Sequence, residues 1–255
     1  MRLVALGTGT VALTAARVCS GYYVEAGAVR LLMDCGSGVT HRLAELDVPW
    51  RDITHVAFTH FHTDHFADFP TLVFAWKYGD LPGRSAPLTV IGPSGITALL
   101  GRLADAFGDW LRAPGFPLSV VELAPDGTID LGDGVTLGAR KVPHTAESVA
   151  YSITRGGRRV VYTGDTGYDP MLAEWARGAD LLVCECSLPV AMAIPEHLTP
   201  EQCGALAAAA LPKRLVLTHF YPPVERVDVR AAVSAHYAGL VTLADDGSTF
   251  EIEEG

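Results

Sequence analysis

Basic residues are in short supply: 19 lysines and arginines stand against 29 aspartates and glutamates, a formal charge of −10 over 255 residues. A protein gripping many phosphates needs cations to replace condensed counterions, so extended nucleic-acid binding is disfavoured. A small anionic substrate held by metal is not. Cysteines number five, an odd count without framework spacing, which argues against a disulfide-stapled secreted domain. No run approaches the ~18 uninterrupted apolar residues of a membrane span, so no membrane partner is expected. The opening Met1-Arg2-Leu3-Val4-Ala5-Leu6 mimics a signal peptide, but Gly7-Thr8-Gly9-Thr10 interrupts it and no cleavage motif follows. A reducing, cytoplasmic setting is the expectation. Linkers, repeats and low-complexity segments are lacking too, so residues 1–255 read as one domain. At 49% apolar and 19% charged residues it has an ordinary globular composition and enough chain for a sizeable core.

What the chain does have is a dense group of metal-capable side chains, Thr59-His60-Phe61-His62-Thr63-Asp64-His65. It follows the apolar, β-branched run 53–58, which reads as a buried strand. Polar ligands directly after a strand suggest a loop at the carboxyl edge of a sheet, where α/β folds place their sites. His60 and His62 are two apart, so on extended chain they point the same way and can grip one ion. Asp64 and His65 lie past the turn and would face a second. Imidazoles with a carboxylate suit zinc, iron or manganese better than calcium or magnesium.

Elsewhere the pattern alternates strands with helices. Residues 3–6 form a first strand, and 22–25 with 29–33 a hairpin. The second of these strands runs into Asp34-Cys35-Gly36-Ser37-Gly38, which lacks the Lys-Ser/Thr of a phosphate loop and reads as a tight turn with Asp34 as a hydrogen-bond acceptor behind the ligands. Residues 68–78 have helical spacing, with Phe74 and Trp76 as candidates for a pocket rim; their exposed apolar side chains would offer a homodimer surface. Residues 109–117 read as a surface loop, either a substrate-contacting lid or a plain connector. A strand at 135–142 delivers Pro143-His144. A hairpin, 149–154 and 159–162, turns at Gly156-Gly157 and ends in Thr163-Gly164-Asp165-Thr166. Thr199-Pro200-Glu201-Gln202 carries an N-cap, a proline at the first helical position and a capping-box glutamine. Residues 215–217 deliver Thr218-His219-Phe220, and residues 241–252 read as a closing hairpin turned at Asp246-Gly247.

Three distant strands thus each end in a ligand: His144, Asp165 and His219. The carboxyl ends of strands in one sheet converge, so these join the first cluster as seven ligands for two ions. His60, His62 and His144 would hold the first ion and Asp64, His65 and His219 the second, with Asp165 giving one oxygen to each.

Here the sequence resembles the metallo-β-lactamase-fold hydrolases, and most closely their ribonuclease Z-like branch. The resemblance covers nearly the whole chain. It rests on His60-Phe61-His62-Thr63-Asp64-His65, on Pro143-His144 with Tyr151-Ser152-Ile153 downstream, on Gly164-Asp165-Thr166, on Glu196-His197-Leu198-Thr199 and on Leu217-Thr218-His219-Phe220. It implies an α/β fold, a four-layer αβ/βα sandwich, with two divalent metal ions, usually Zn2+ and otherwise Mn2+ or Fe2+. It also implies hydrolysis by a hydroxide bridging the ions, with Asp64 both ligating and orienting it. His197, held by Glu185 or Glu196, would approach the scissile group as an acid or phosphate contact. Two departures separate this chain from enzymes that trim transfer-RNA precursors. The interval between the third and fourth motifs holds only a short hairpin where those enzymes carry a protruding arm. After His219 stands Tyr221-Pro222-Pro223-Val224 in place of a Ser-x-Arg-Tyr run.

The expectation is therefore a metal-dependent phosphodiesterase on small or promiscuous ester substrates. Its rivals are a lactone or other ester hydrolase, a ribonuclease Z-type endonuclease, a diiron redox protein and a non-catalytic binding module. A diiron protein would have Glu at position 62 and a fused flavin domain, and a binding module would have lost ligands. Cys184 and Cys186 flank Glu185 on one strand face and read as buried thiols.

Overall fold

The computed structural model describes residues 1–79 and 81–253. The apolar, β-branched runs become strands, which pair into two seven-stranded sheets. The first sheet takes β1 (Arg2–Gly7), β2 (Gly21–Ala26), β3 (Val29–Met33), β4 (His55–Ala57), β5 (Leu88–Gly92) and β6 (Leu118–Glu122). The second takes β7 (Thr128–Gly132), β8 (Val135–Lys141), β9 (Val149–Arg155), β10 (Arg158–Tyr162), β11 (Leu181–Glu185), β12 (Arg214–Thr218) and β13 (Leu240–Leu243). The last strand, β14 (Thr249–Glu251), crosses back to lie antiparallel to β1. Each sheet starts antiparallel, through β3 and β10 respectively, and continues parallel. Parallel strands buried on both faces need no polar alternation, and β11 is buried at every position.

Four layers follow from three apolar clusters. Between the sheets, Leu3, Tyr22, Leu31 and Met33 pack with Leu137, Tyr151, Ile153 and Val183. The outer face of the first sheet (Leu6, Leu32, Val56, Val90) is covered by α1 (Val39–Glu45), α2 (Thr63–Phe66), α3 (Phe69–Phe74) and α4 (Ile96–Phe107). The outer face of the second (Val161, Leu182, Leu217) is covered by α5 (Pro170–Trp175), α6 (Pro200–Ala210) and α7 (Val229–Ser234). This is the αβ/βα sandwich. The capping box of α6 forms as the sequence dictates: Gln202 N–H donates to the Thr199 hydroxyl, and Thr199 N–H to the Gln202 amide oxygen at 2.9 Å. It fixes the entry of the helix directly after His197.

Two readings are corrected, and one left open between alternatives is settled. Residues 241–252 are not a hairpin: β13 pairs parallel with β12 in one sheet while β14 pairs with β1 in the other. The carboxylate of Asp246, read as turn chemistry, instead accepts from Thr8 N–H, the Thr8 hydroxyl, Val18 N–H and Arg42, pinning the first loop. Residues 109–117 are a connector, with Leu111 and Phe116 buried against the first sheet's outer layer. Residues 68–78 are not one regular helix, since α3 gives way to a wider turn at Ala75–Gly79. Trp76 is buried there, and Phe74 packs on Tyr78 and Trp110.

Candidate metal centre

Strand direction explains how distant residues meet. β4, β8, β10, β11 and β12 present their carboxyl ends at one edge of the sandwich, where the loops carrying residues 59–65, His144, Asp165, Ser187 and His219 converge. The two sheets come into backbone contact there. At Gly164 (φ +57°) an added Cβ would lie 2.8 Å from the Thr59 Cβ, so only glycine lets the Asp165 loop sit against the His60 loop. His219 itself has φ +58°, a left-handed conformation that a histidine holds only when its surroundings impose it.

The seven sequence-predicted donors fall into two groups whose donor atoms lie within 4.8 Å of one another: His60, His62 and His144, and Asp64, His65, Asp165 and His219. Asp165 stands between them. Its Oδ2 lies 3.9 Å from His60 Nε2 and 3.8 Å from His144 Nε2, and its Oδ1 lies 3.1 Å from His65 Nε2 and 3.3 Å from His219 Nε2. Asp64 Oδ2 is 3.5 Å from His219 Nε2.

Four of the five imidazoles are held from behind through Nδ1, which leaves Nε2 facing inward. His65 donates to Asp34 Oδ2 (2.8 Å) and His144 to the Glu196 carbonyl (3.0 Å). The Thr59 hydroxyl donates to Asp34, so it accepts from His60 at 3.1 Å. The Ser187 hydroxyl donates to Glu185, so it accepts from His219 at 2.8 Å. Fixing the tautomer in this way aims a lone pair at the cage, as metal ligands require. Asp34 also accepts from Thr59 N–H and the Tyr162 hydroxyl, and is buried at φ +57°. Tyr162 and Ser187 escape sequence reading: one looks like core, and only its place two residues beyond Glu185 at a strand end marks the other.

Do these residues fit metal ions? A buried atom of the cage, His60 Nε2, has no hydrogen-bond partner, a costly state unless another group completes the site. Facing nitrogens stand 3.1 Å apart (His144 and His62) and 3.4 Å apart (His65 and His219). Two ligands of one tetrahedral zinc at ~2.05 Å would be separated by about 3.3 Å. Electrostatics agree. Burial and the neighbouring His65 lower the pKa of His60, and burial lowers that of His144, so both favour the neutral form that ligates. Burial raises Asp165, but the charges of His219, His65 and His60 outweigh it and hold the carboxyl well below its usual range. His65 goes the other way: burial pulls it down, yet Asp165 and Asp34 raise it well above the ordinary imidazole value. The cage therefore attracts a cation, and a proton takes that place when no metal does. The donor set fits divalent metal.

His197 lies beside both groups. Its Nδ1 donates to Glu185 Oε1 at 3.0 Å, and Glu185 rather than Glu196 holds it. Burial pulls its pKa down, but the Glu185 carboxylate outweighs that and lifts it to about 9, so the ring is an imidazolium at neutral pH. Glu185, expected among the catalytic groups, is fully buried and takes bonds from Thr166 N–H, Leu198 N–H, Ser187 and His197. It positions His197. The thiols of Cys184 and Cys203 are buried against the Glu185 carbonyl. A cavity of about 420 Å³ opens over the cage, floored by His62, Asp64, Asp165 and His197; neither Phe74 nor Trp76 lines it.

A four-layer sandwich with a buried His/Asp cage at its shared edge defines a class, the metal-dependent hydrolases of the metallo-β-lactamase fold. Comparison with known proteins gives the same answer. The family model described as beta-lactamase superfamily domain matches residues 29–220, and the chain belongs to that superfamily. An uncharacterised protein of Mycobacterium tuberculosis is 32% identical over 237 residues, covering 91% of this chain and 85% of that protein. A ribonuclease Z of Mycobacterium marinum is 29% identical over 272 residues, covering 97% of each. Among solved structures, the metallo-beta-lactamase fold protein YhfI from Bacillus subtilis superposes with a TM-score of 0.84 at 26% identity over 98% of both chains. Human tRNase Z, short form, gives 0.81 at 25% identity over 99% of this chain and 100% of that one. The protein is an enzyme, a metal-dependent hydrolase. No helix among the described residues is long and apolar enough to cross a membrane.

Proposed function

We propose that the protein is a dinuclear metal-dependent phosphodiesterase acting on small substrates. The observation that carries this is Asp165, whose two oxygens face two separate sets of donors. His60, His62 and His144 would hold one ion, Asp64, His65 and His219 the other, and Asp165 would serve both. Five nitrogens with two carboxylates favour zinc, with manganese or iron as the alternatives. Divalent ions held there would supply Lewis acidity, bringing the pKa of a bound water from 15.7 towards ~7 and polarising a phosphoryl oxygen.

The chain's own residues account for the remaining steps. Asp64 borders the cavity and accepts a hydrogen bond from the attacking water, holding it in line with phosphorus. The water, deprotonated to hydroxide, forms the new P–O bond as the P–O bond to the leaving group breaks. His197, its Nδ1 held by Glu185, gives its Nε2 proton to the leaving oxygen and regains one from the next water as that water becomes hydroxide. Glu185 keeps the ring oriented throughout by holding its Nδ1. A small substrate is favoured over transfer RNA by the charge of −10 and by the hairpin of β9 and β10, closed by Gly156 and Gly157 with no arm.

The test is turnover by metal-loaded protein of bis(p-nitrophenyl) phosphate against a γ-lactone. Faster hydrolysis of the diester is expected. Lactone turnover without diester turnover would replace the reading with ester hydrolysis, which the same cage can serve.

A further inference from the structure

The wall of the cavity differs from its floor. Above the cage stand Val11, Phe61, Thr63 and Tyr221, and among the described residues no lysine or arginine lines the cavity. Arg17, on the same loop as Val11, donates to Thr8 and the Ala244 carbonyl and pairs with Glu225 and Asp245. Lys141, three residues before His144, donates to the carbonyls of Val142, Thr145 and Ser148. Among the described residues, negative charge on a substrate is thus met on the floor, where the metal-capable cage and His197 lie. A polyphosphate or a polynucleotide would bring charge that nothing on the wall neutralises.

That wall is also pre-built. Tyr221 N–H donates to the Ser187 carbonyl at 3.3 Å, the Tyr221 carbonyl accepts from Val224 N–H at 3.0 Å, and Pro222 and Pro223 stiffen the chain between. Its ring packs 6.0 Å from that of His197 and 5.9 Å from that of His219. Phe61 packs edge-on against Phe66 at 6.5 Å. Aromatic groups fixed before binding lose little entropy when a ring stacks on them.

We infer that the substrate is a diester of a single phosphate bearing one flat, uncharged ring, and that Phe61 and Tyr221 select it by packing against that ring. An aryl group and a nucleobase share this chemistry. The inference deepens the phosphodiesterase reading and rests on it.

The test has a binding arm and a kinetic arm. In calorimetric titrations of zinc-loaded protein, phenyl phosphate binds about tenfold or more tighter than methyl phosphate, the order expected of one stacked ring. Tyr221→Ala and Phe61→Ala each bring that ratio towards one, while Tyr221→Phe keeps it. Adenosine monophosphate separates the two sources: tighter binding than phenyl phosphate assigns a nucleobase, weaker binding an aryl ester. Equal affinity for phenyl and methyl phosphate, or a ratio that survives both alanine substitutions, overturns the inference. In the kinetic arm, Tyr221→Ala and Phe61→Ala each lower kcat/KM for methyl p-nitrophenyl phosphate, which bears one ring, while Tyr221→Phe keeps it. Unchanged kcat/KM in both alanine variants would remove the ring preference and leave the reaction standing. No hydrolysis of the diester, with the binding ratio intact, would remove the reaction and leave the ring site.

Discussion

Of the two donor sets that share Asp165, one is enclosed and the other open. Asp64, His65 and His219 are all buried, with Asp34 behind His65 and Ser187 behind His219. The other set includes His62, which is exposed and alone turns Nδ1 inward. Buried ligands backed by buried acceptors are over-determined, so the enclosed set is formed before metal arrives. The open set has one member that must be ordered on binding. On the proposed reading, the enclosed set would anchor one ion and the open set would exchange the other at the cavity floor.

Asp165→Ala erases the contrast, because it takes an oxygen from both sets. Elemental analysis should then find less than one ion per chain, and diester hydrolysis should fall by about 10³-fold, the upper order for losing one group that stabilises transition-state charge. Retention of two ions would show that Asp165 does not link the sets.

His65→Ala against His62→Ala sharpens it. In chelator-treated protein, His65→Ala leaves Asp34 and Asp165 buried without their imidazole, at a cost of about 3 kcal/mol or more. His62→Ala, at an exposed position, should stay within about 0.5 kcal/mol. Equal shifts in Tm for the two variants would mean the sets are equally built.

How much of this could be read from residues alone depends on range. The cluster at 60–65 is local, and His144, Asp165 and His219 each follow a strand, so seven donors were visible as spacing and strand ends. Asp34 was legible as a turn residue behind the ligands. Tyr162 was not, because its hydroxyl reaches Asp34 across the interface between the sheets and nothing near it in the chain marks that. β6 escaped because it lies at the sheet edge with no buried position, so its pattern lacks a clean period. The supposed hairpin at 241–252 failed for the same kind of reason: Asp246-Gly247 has turn chemistry, but its carboxylate bonds Thr8 and Val18, more than two hundred residues away in sequence. Local chemistry named the ligands, and long-range pairing decided what stands behind them.

Asp34→Asn tests that backing without touching a donor. It should weaken the tighter of two zinc-binding events by about 10–100-fold, the usual cost of losing a partner of a ligating histidine, and the weaker one by less, since His60 reaches Asp34 only through the Thr59 hydroxyl. An equal effect on both events would place Asp34 behind the whole cage.

The smallest effect is in protons. In the empty cage the pKa of His65 is raised, so it holds a proton at pH 7 that zinc must expel, whereas His60 and His144 are lowered and already neutral. Zinc titrations in buffers of different ionisation enthalpy should show about one more proton released by the enclosed set than by the open one. The excess should vanish as pH rises through the folded-state pKa of His65. Equal release from both sets would contradict the assigned charge states.

The most direct measurement is an anomalous difference map from crystals of the zinc-loaded protein. Two peaks are expected, one on each side of the Asp165 carboxylate, the first among His60, His62 and His144 and the second among Asp64, His65 and His219. A single peak, or a second one away from Asp165, would contradict a two-ion cage.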